Sequence, residues 1–134
     1  MEVVSRPASP SVASAPPRVA IVDADRRIQQ SLADLLAVSG EVEVVGRAGD
    51  VRAALELVED TGPDVVLIDP RLPDADAGLA LIGGLARAWP GLRIVLTGWN
   101  DPDGRAFLNG TACYVSKGGS PEEFVEAIVA GCTD

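Results

Sequence analysis

Val65-Val66-Leu67-Ile68 is an unbroken apolar run, rich in β-branched residues, that stops at a carboxylate, Asp69. A run of this kind reads as a strand buried on both faces of a parallel sheet. Pro70 and Pro73 follow within four residues. Proline cannot continue the strand, and it stiffens the loop. The pattern predicts Asp69 at the carboxyl end of a central strand, aimed into the crevice where open α/β sheets place their ligand chemistry. Alone, such an Asp reads as a solvated strand end. The residues at the other strand ends give it company.

Taken in order, Arg18 to Val22 is predicted as the first strand, ended by Asp23-Ala24-Asp25. A helix follows with Ile28, Leu32, Leu35 and Leu36 on one face, Asp25 as its N-cap and Gly40 as its C-cap. Val42 to Gly46 is the second strand. Asp50 caps a second helix that turns Val51, Ala54, Leu55 and Val58 inward, and Gly62-Pro63 breaks it. The loop 70–77 leads to a third helix with Leu79, Ile82, Leu85 and Trp89 inward. Leu92 to Leu96 is the fourth strand, ending in Thr97. The stretch from Gly98 to Gly110 has room only for a short helix around Asp103 to Leu108, expected to be the least stable element. Ala112 to Val115 is the fifth strand, followed by Ser116 and Lys117. Ser120-Pro121-Glu122-Glu123 forms a capping box for the last helix, with Phe124, Val125 and Ile128 inward. Five strands alternating with five helices predict an α/β fold: a five-stranded parallel sheet with helices on both faces, in the flavodoxin-like order 2-1-3-4-5.

With 134 residues and 47% apolar content, the chain suits one globular domain, expected over 18–131. Residues 1–17 are rich in Pro, Ser and Ala and read as a flexible leader; 132–134 is a tail. The balance of 20 acidic against 11 basic residues, net −9, argues against a nucleic-acid surface. There is no basic cluster for anionic lipid, no signal-peptide pattern, and no apolar run approaching a membrane span. Cys113 and Cys132 have no metal-site spacing and read as free thiols in a reducing cytoplasm. The chain has no histidine, which excludes a histidine-based triad or zinc site.

In a parallel sheet, Asp23, Asp69, Thr97 and Lys117 all fall on one edge. Two close carboxylates repel unless a hard cation such as Mg²⁺ stands between them. A lysine supplies a compact positive charge, and a threonine hydroxyl can hydrogen-bond a phosphoryl oxygen. The set suits phosphoryl transfer to Asp69 as nucleophile.

Val22-Asp23, Asp69-Pro70-Arg71-Leu72-Pro73, Thr97 and Tyr114-Val115-Ser116-Lys117, in this order, resemble the receiver domain of a two-component response regulator. The resemblance covers residues 18 to about 131. It implies Asp69 as phosphoacceptor and Asp23 as the first of the acidic pair. It gives the Arg71 main-chain carbonyl as a Mg²⁺ ligand, Thr97 and Lys117 as phosphoryl contacts, and Tyr114 as the aromatic coupled to Thr97. It also implies a histidine kinase or phosphotransfer protein as donor. A downstream partner, or a second copy in a homodimer, would meet the face of the fourth helix, fifth strand and fifth helix. The Lys117-Gly-Gly-Ser-Pro-Glu-Glu segment most resembles receivers that precede a helix-turn-helix output domain.

Three departures stand out. Ala24 occupies the position of the second acidic residue, and Asp25 lies one step too late, so Asp25 as a metal ligand requires the loop to rearrange. The loop after Pro73 is one residue longer than usual in that family, with Ala77 before Gly78. The span from Thr97 to Lys117 is about two residues short. A pseudo-receiver, acting as a phosphorylation-independent interaction module, is therefore the alternative. A more distant one is a phosphatase of the haloacid dehalogenase type, suggested by Asp23-x-Asp25. Arg27 and the absence of an acidic pair after Lys117 speak against it.

Overall fold

The computed structural model describes residues 15–99 and 112–130. In chain order the elements are β1 (Arg18–Val22), α1 (Arg26–Ser39), β2 (Glu43–Ala48), α2 (Val51–Thr61), β3 (Val65–Ile68), α3 (Ala75–Ala88), β4 (Arg93–Gly98), β5 (Ala112–Ser116) and α4 (Pro121–Ala130). The five strands form one sheet in the order β2-β1-β3-β4-β5. Every neighbouring pair is parallel. This is the expected order. Residues 1–14 of the expected leader, the short helix expected over 103–108 and the tail with Cys132 lie outside the described residues.

Alternation along the strands divides the core in two. Val19 and Ile21 of β1, Val65 and Leu67 of β3 and Val95 of β4 pack with Leu32 and Leu36 of α1 and Phe124 and Ile128 of α4. Ala20, Val22, Val66, Ile68, Ile94 and Leu96 pack on the other face with Ala54 and Val58 of α2 and Ile82 and Leu85 of α3. All four residues of β3 are fully buried, as its apolar run requires.

The caps follow the sequence closely. Asp25 accepts from the Arg27 N–H at 2.8 Å and Asp50 from the Ala53 N–H at 2.8 Å. Gly40 closes α1 in the left-handed conformation, φ 71°. At the start of α4, Ser120 Oγ accepts from the Glu123 N–H, and Glu123 Oε1 accepts from the Ser120 N–H. That is the reciprocal capping box.

Several expectations are corrected. Leu55 and Leu79 face solvent, and Leu57 and Leu81 take inward places instead. Leu57 fills the space that a side chain at Gly46 would occupy, and this sets which face α2 presents to β2. The loop before α3 is shorter than 70–77, because Asp74 caps the helix by accepting from the Ala77 N–H at 2.9 Å. β2 runs on to Ala48 and β4 to Gly98, since pairing continues through Val22 with Ala48 and Gly98 with Ser116.

Candidate functional site

Strand register builds the site. Val22 lies opposite Ile68, and Ile68 opposite Leu96. The next residue on each strand is therefore Asp23, Asp69 and Thr97, in a row along the carboxyl edge. The Asp69 N–H donates to the Val22 carbonyl at 3.0 Å, so pairing with β1 holds to the last residue. On the far side, the Lys117 N–H donates to the Gly98 carbonyl at 2.8 Å and brings the turn after β5 to the same edge.

Lys117 is the only lysine in the chain. Its Nζ lies 2.6 Å from Asp23 Oδ2 and 2.7 Å from Asp69 Oδ2, spanning both carboxylates. The side chains of Lys117 and Asp23 are 4% and 3% exposed, and that of Asp69 16%. Burial pushes the ammonium down. Hydrogen bonding and Coulomb attraction to Asp23 and Asp69 outweigh it, and the Lys117 pKa ends above the ordinary lysine value.

Asp23 is held from three directions. Its Oδ1 accepts from the Asp25 N–H at 2.8 Å, and its own N–H donates to the Ala48 carbonyl at 3.0 Å. The Gln29 amide donates to the Asp23 carbonyl at 2.7 Å and the Ala48 carbonyl at 3.2 Å. Gln29 is buried, and sequence reasoning missed it. Its signal was legible: Gln29 shares a helical face with Leu32 and Leu36, at i, i+3 and i+7, where a polar group needs a buried partner.

Asp69 Oδ1 accepts from the Arg71 N–H at 3.0 Å, so the loop folds back on the carboxylate. The loop is pressed from below by α3. A Cβ at Gly78 would overlap the Pro70 carbonyl, so only glycine fits this approach. Leu72, 1% exposed, anchors the loop in the core.

Thr97 is 1% exposed, and its hydroxyl has no hydrogen-bond partner among the described residues. A buried orphan hydroxyl costs stability and asks for a reason. The Tyr114 hydroxyl donates to the Gly98 carbonyl at 2.9 Å, one residue beyond Thr97. Trp99, 60% exposed, sets its ring 5.7 Å from Lys117 Nζ.

The sequence-marked residues thus converge, with one exception. Asp25 is exposed and spends its carboxylate on the α1 cap. Among the described residues no group of three His, Cys, Asp or Glu side chains could hold a metal. The donor set at this edge is two carboxylates, with the Arg71 carbonyl in the adjoining loop. Mg²⁺ commonly takes one or two carboxylates and keeps several waters, so this set fits it at the lower limit of protein ligands.

Comparison with known proteins identifies the family. The family model described as response regulator receiver domain matches residues 19–129. The chain is 35% identical over 114 residues to the DNA-binding transcriptional activator DevR/DosR of Mycobacterium tuberculosis, covering 83% of this chain and 52% of that protein. It is 33% identical over 124 residues to the transcriptional regulatory protein PdtaR of the same organism, covering 91% of this chain and 60% of that protein. The chain spans about half the length of the curated relatives it matches. Among solved structures, the signal receiver domain of NarL from Mycobacterium tuberculosis superposes with a TM-score of 0.71 at 30% identity, covering 86% of this chain and 94% of that one. A CheY-like receiver from Methanospirillum hungatei gives 0.72 at 28% identity, covering 85% and 91%. With its strand order, its edge of acids and lysine, and a family match over nearly the whole described fold, this chain belongs to the response regulator receiver domains of two-component signalling.

Proposed function

We propose that Asp69 accepts a phosphoryl group from a histidine kinase or phosphotransfer protein, and that occupancy of the site alters a protein-binding face. The observation that carries this reading is the bridge from Lys117 Nζ to both Asp69 and Asp23 at an edge that also holds a buried Thr97 hydroxyl without a partner among the described residues. A carboxylate oxygen of Asp69 attacks the phosphorus of the donor's phosphohistidine. The phosphorus–nitrogen bond breaks, and the imidazole leaves with the electron pair and takes a proton from solvent. The incoming group brings about −1.5 to −2 charges. The Lys117 ammonium pairs with its oxygens, and Thr97 donates the hydrogen bond it lacks. Asp23, Asp69 and the Arg71 carbonyl would hold Mg²⁺, whose chemistry is to neutralise charge on the transferring oxygens. Movement of Thr97 reaches Tyr114 through Gly98, whose carbonyl the phenol holds. The output face then includes β5 and α4, and its partner is a protein: the net charge of −9 opposes direct nucleic-acid binding by this chain. In this reading the chain is a cytoplasmic switch over 18–131 rather than an enzyme. No helix among the described residues is long and apolar enough to cross a membrane.

The pseudo-receiver reading is favoured by one specific observation. Lys117 already supplies a cation to both carboxylates, while Ala24 removes the second acid and Asp25 is committed to the cap. Beryllofluoride with Mg²⁺ separates the two readings, with Trp99 fluorescence as reporter of Lys117 movement. Saturable binding in the wild type, lost in Asp69→Asn, supports the phosphoacceptor. Silence in the wild type with recovery in Ala24→Asp supports the pseudo-receiver.

A further inference from the structure

Among the described residues Trp99 is the only exposed aromatic side chain: Trp89 and Tyr114 are half-buried and Phe124 is fully buried. The other exposed large apolar side chains, Val38, Leu55, Leu79 and Val129, lie within helices. Trp99 stands instead just past the end of β4, at the carboxyl edge. Its place is fixed by strand ends rather than by packing of the ring. Gly98, directly before it, pairs with Ser116. The Gly98 carbonyl accepts from the Lys117 N–H at 2.8 Å and from the Tyr114 hydroxyl at 2.9 Å. The backbone that carries the indole is therefore tied to the backbone that carries the Lys117 ammonium.

The ammonium lies over the indole, 5.7 Å from Nζ to the ring centroid. Cation–π attraction at that distance is weak beside ion pairs of 2.6 and 2.7 Å to Asp23 and Asp69. Holding Lys117 is thus a small part of what the ring can do. With 60% of the residue exposed, most of the indole faces outward, next to the cation that would pair with a transferring phosphoryl group.

We infer that the open side of Trp99 stacks on the imidazole ring of the phosphodonor, so that the site prefers an aromatic N-phosphoryl donor to one without a ring. This rests on the reading of Asp69 as phosphoacceptor. An Asp69 oxygen attacks phosphorus, and the phosphorus–nitrogen bond breaks with its electron pair on the donor nitrogen, which takes a proton from solvent. Lys117 pairs with the phosphoryl oxygens, and the donor nitrogen departs on the side away from Asp69, toward solvent. Imidazole carries its flat ring on that leaving atom. An indole already held beside the ammonium meets it by offset stacking, with centroids about 4.5–7 Å apart. Phosphoramidate breaks the same kind of bond but presents no ring, so the indole has nothing to stack on.

The full chain is incubated with Mg²⁺ and either phosphoimidazole or phosphoramidate, and the rate of gain of one phosphoryl group is followed by intact mass. The variants are Trp99→Ala, Trp99→Leu, which keeps bulk without a π face, and Trp99→Phe, which keeps the face. The expected result is a ratio of phosphoimidazole to phosphoramidate rates that falls roughly fivefold in Trp99→Ala and Trp99→Leu and stays within about twofold in Trp99→Phe. The ring is mostly open, so the variants keep the fold, which circular dichroism checks. A ratio in Trp99→Leu equal to that of wild type overturns this inference alone, as does an equal slowing with both donors, which would make Trp99 a support for Lys117 only. Failure of both donors to label the wild type overturns it together with the phosphoacceptor reading.

Discussion

Lys117 Nζ lies 2.7 Å from Asp69 Oδ2, across the carboxyl edge of a sheet whose middle strand delivers the acid and whose last strand delivers the amine. The same nitrogen is 2.6 Å from Asp23. One cation thus balances two carboxylates that would otherwise face each other nearly dry.

Removing that cation should cost more than removing either acid. Lys117→Met leaves two buried carboxylates unpaired, and breaking a buried pair on one side typically costs about 3–5 kcal/mol. Asp69→Asn leaves Asp23 and Lys117 as a balanced pair and relieves the repulsion between acids, so its stability should stay near or above wild type. Urea denaturation of the two variants checks the ranking. A Lys117→Met protein as stable as Asp69→Asn would contradict the pairing.

The alkaline limb of stability should carry the same signature. The Lys117 pKa is raised in the fold. Its contribution is therefore complete below the unfolded lysine value of about 10.4 and is lost as pH climbs from there through the folded value. With one lysine in the chain, no other amine of this type blurs the reading. Thermal unfolding from neutral pH to about pH 11 should fall more steeply for wild type than for Lys117→Met. Parallel curves would show that the ammonium gains nothing in the fold.

Much of this is legible in the chain itself. The β3 run, the capping residues Asp25, Asp50 and Ser120 and the row of Asp23, Asp69, Thr97 and Lys117 are local signals, and register turns them into neighbours. What was illegible depends on contacts between elements. Leu55 and Leu57 compete for the inward face of α2, and only the gap at Gly46 decides for Leu57. Gln29 matters because β1 and β2 both end on carbonyls within its reach. The earlier start of α3 follows from the Asp74 cap, which periodicity alone does not rank above a longer loop; Leu79 faces solvent because Leu81, Ile82 and Leu85 take the core face.

Gln29 should behave as a clamp. Gln29→Leu leaves the amide's two buried carbonyl partners one donor short, at a cost of about 1–3 kcal/mol. It should also loosen Asp23 without touching it. The expected outcome is a lower urea midpoint together with weaker beryllofluoride binding. Unchanged values of both would mean that β1 and β2 hold Asp23 unaided.

Gly78 and Gly84 make an internal control within one helix. Gly78→Ala forces α3 off the Pro70 carbonyl and should destabilise by about 1–3 kcal/mol, displacing the Asp69 loop. At Gly84 a Cβ meets nothing within 4 Å. Gly84→Ala should stabilise by up to about 1 kcal/mol through helix propensity. Thermal melts of the pair check both signs, and a harmless Gly78→Ala would contradict the close approach.

The central claim is that Asp69 is the acid that takes the phosphoryl group. Acetyl phosphate with Mg²⁺, followed by borohydride trapping of acyl phosphate and peptide mass mapping, tests it most directly. The account predicts a single modified residue, Asp69, with labelling abolished in Asp69→Asn and by removal of Mg²⁺ with a chelator, and strengthened in Ala24→Asp. Labelling that persists in Asp69→Asn, or that maps to another carboxylate, would contradict it.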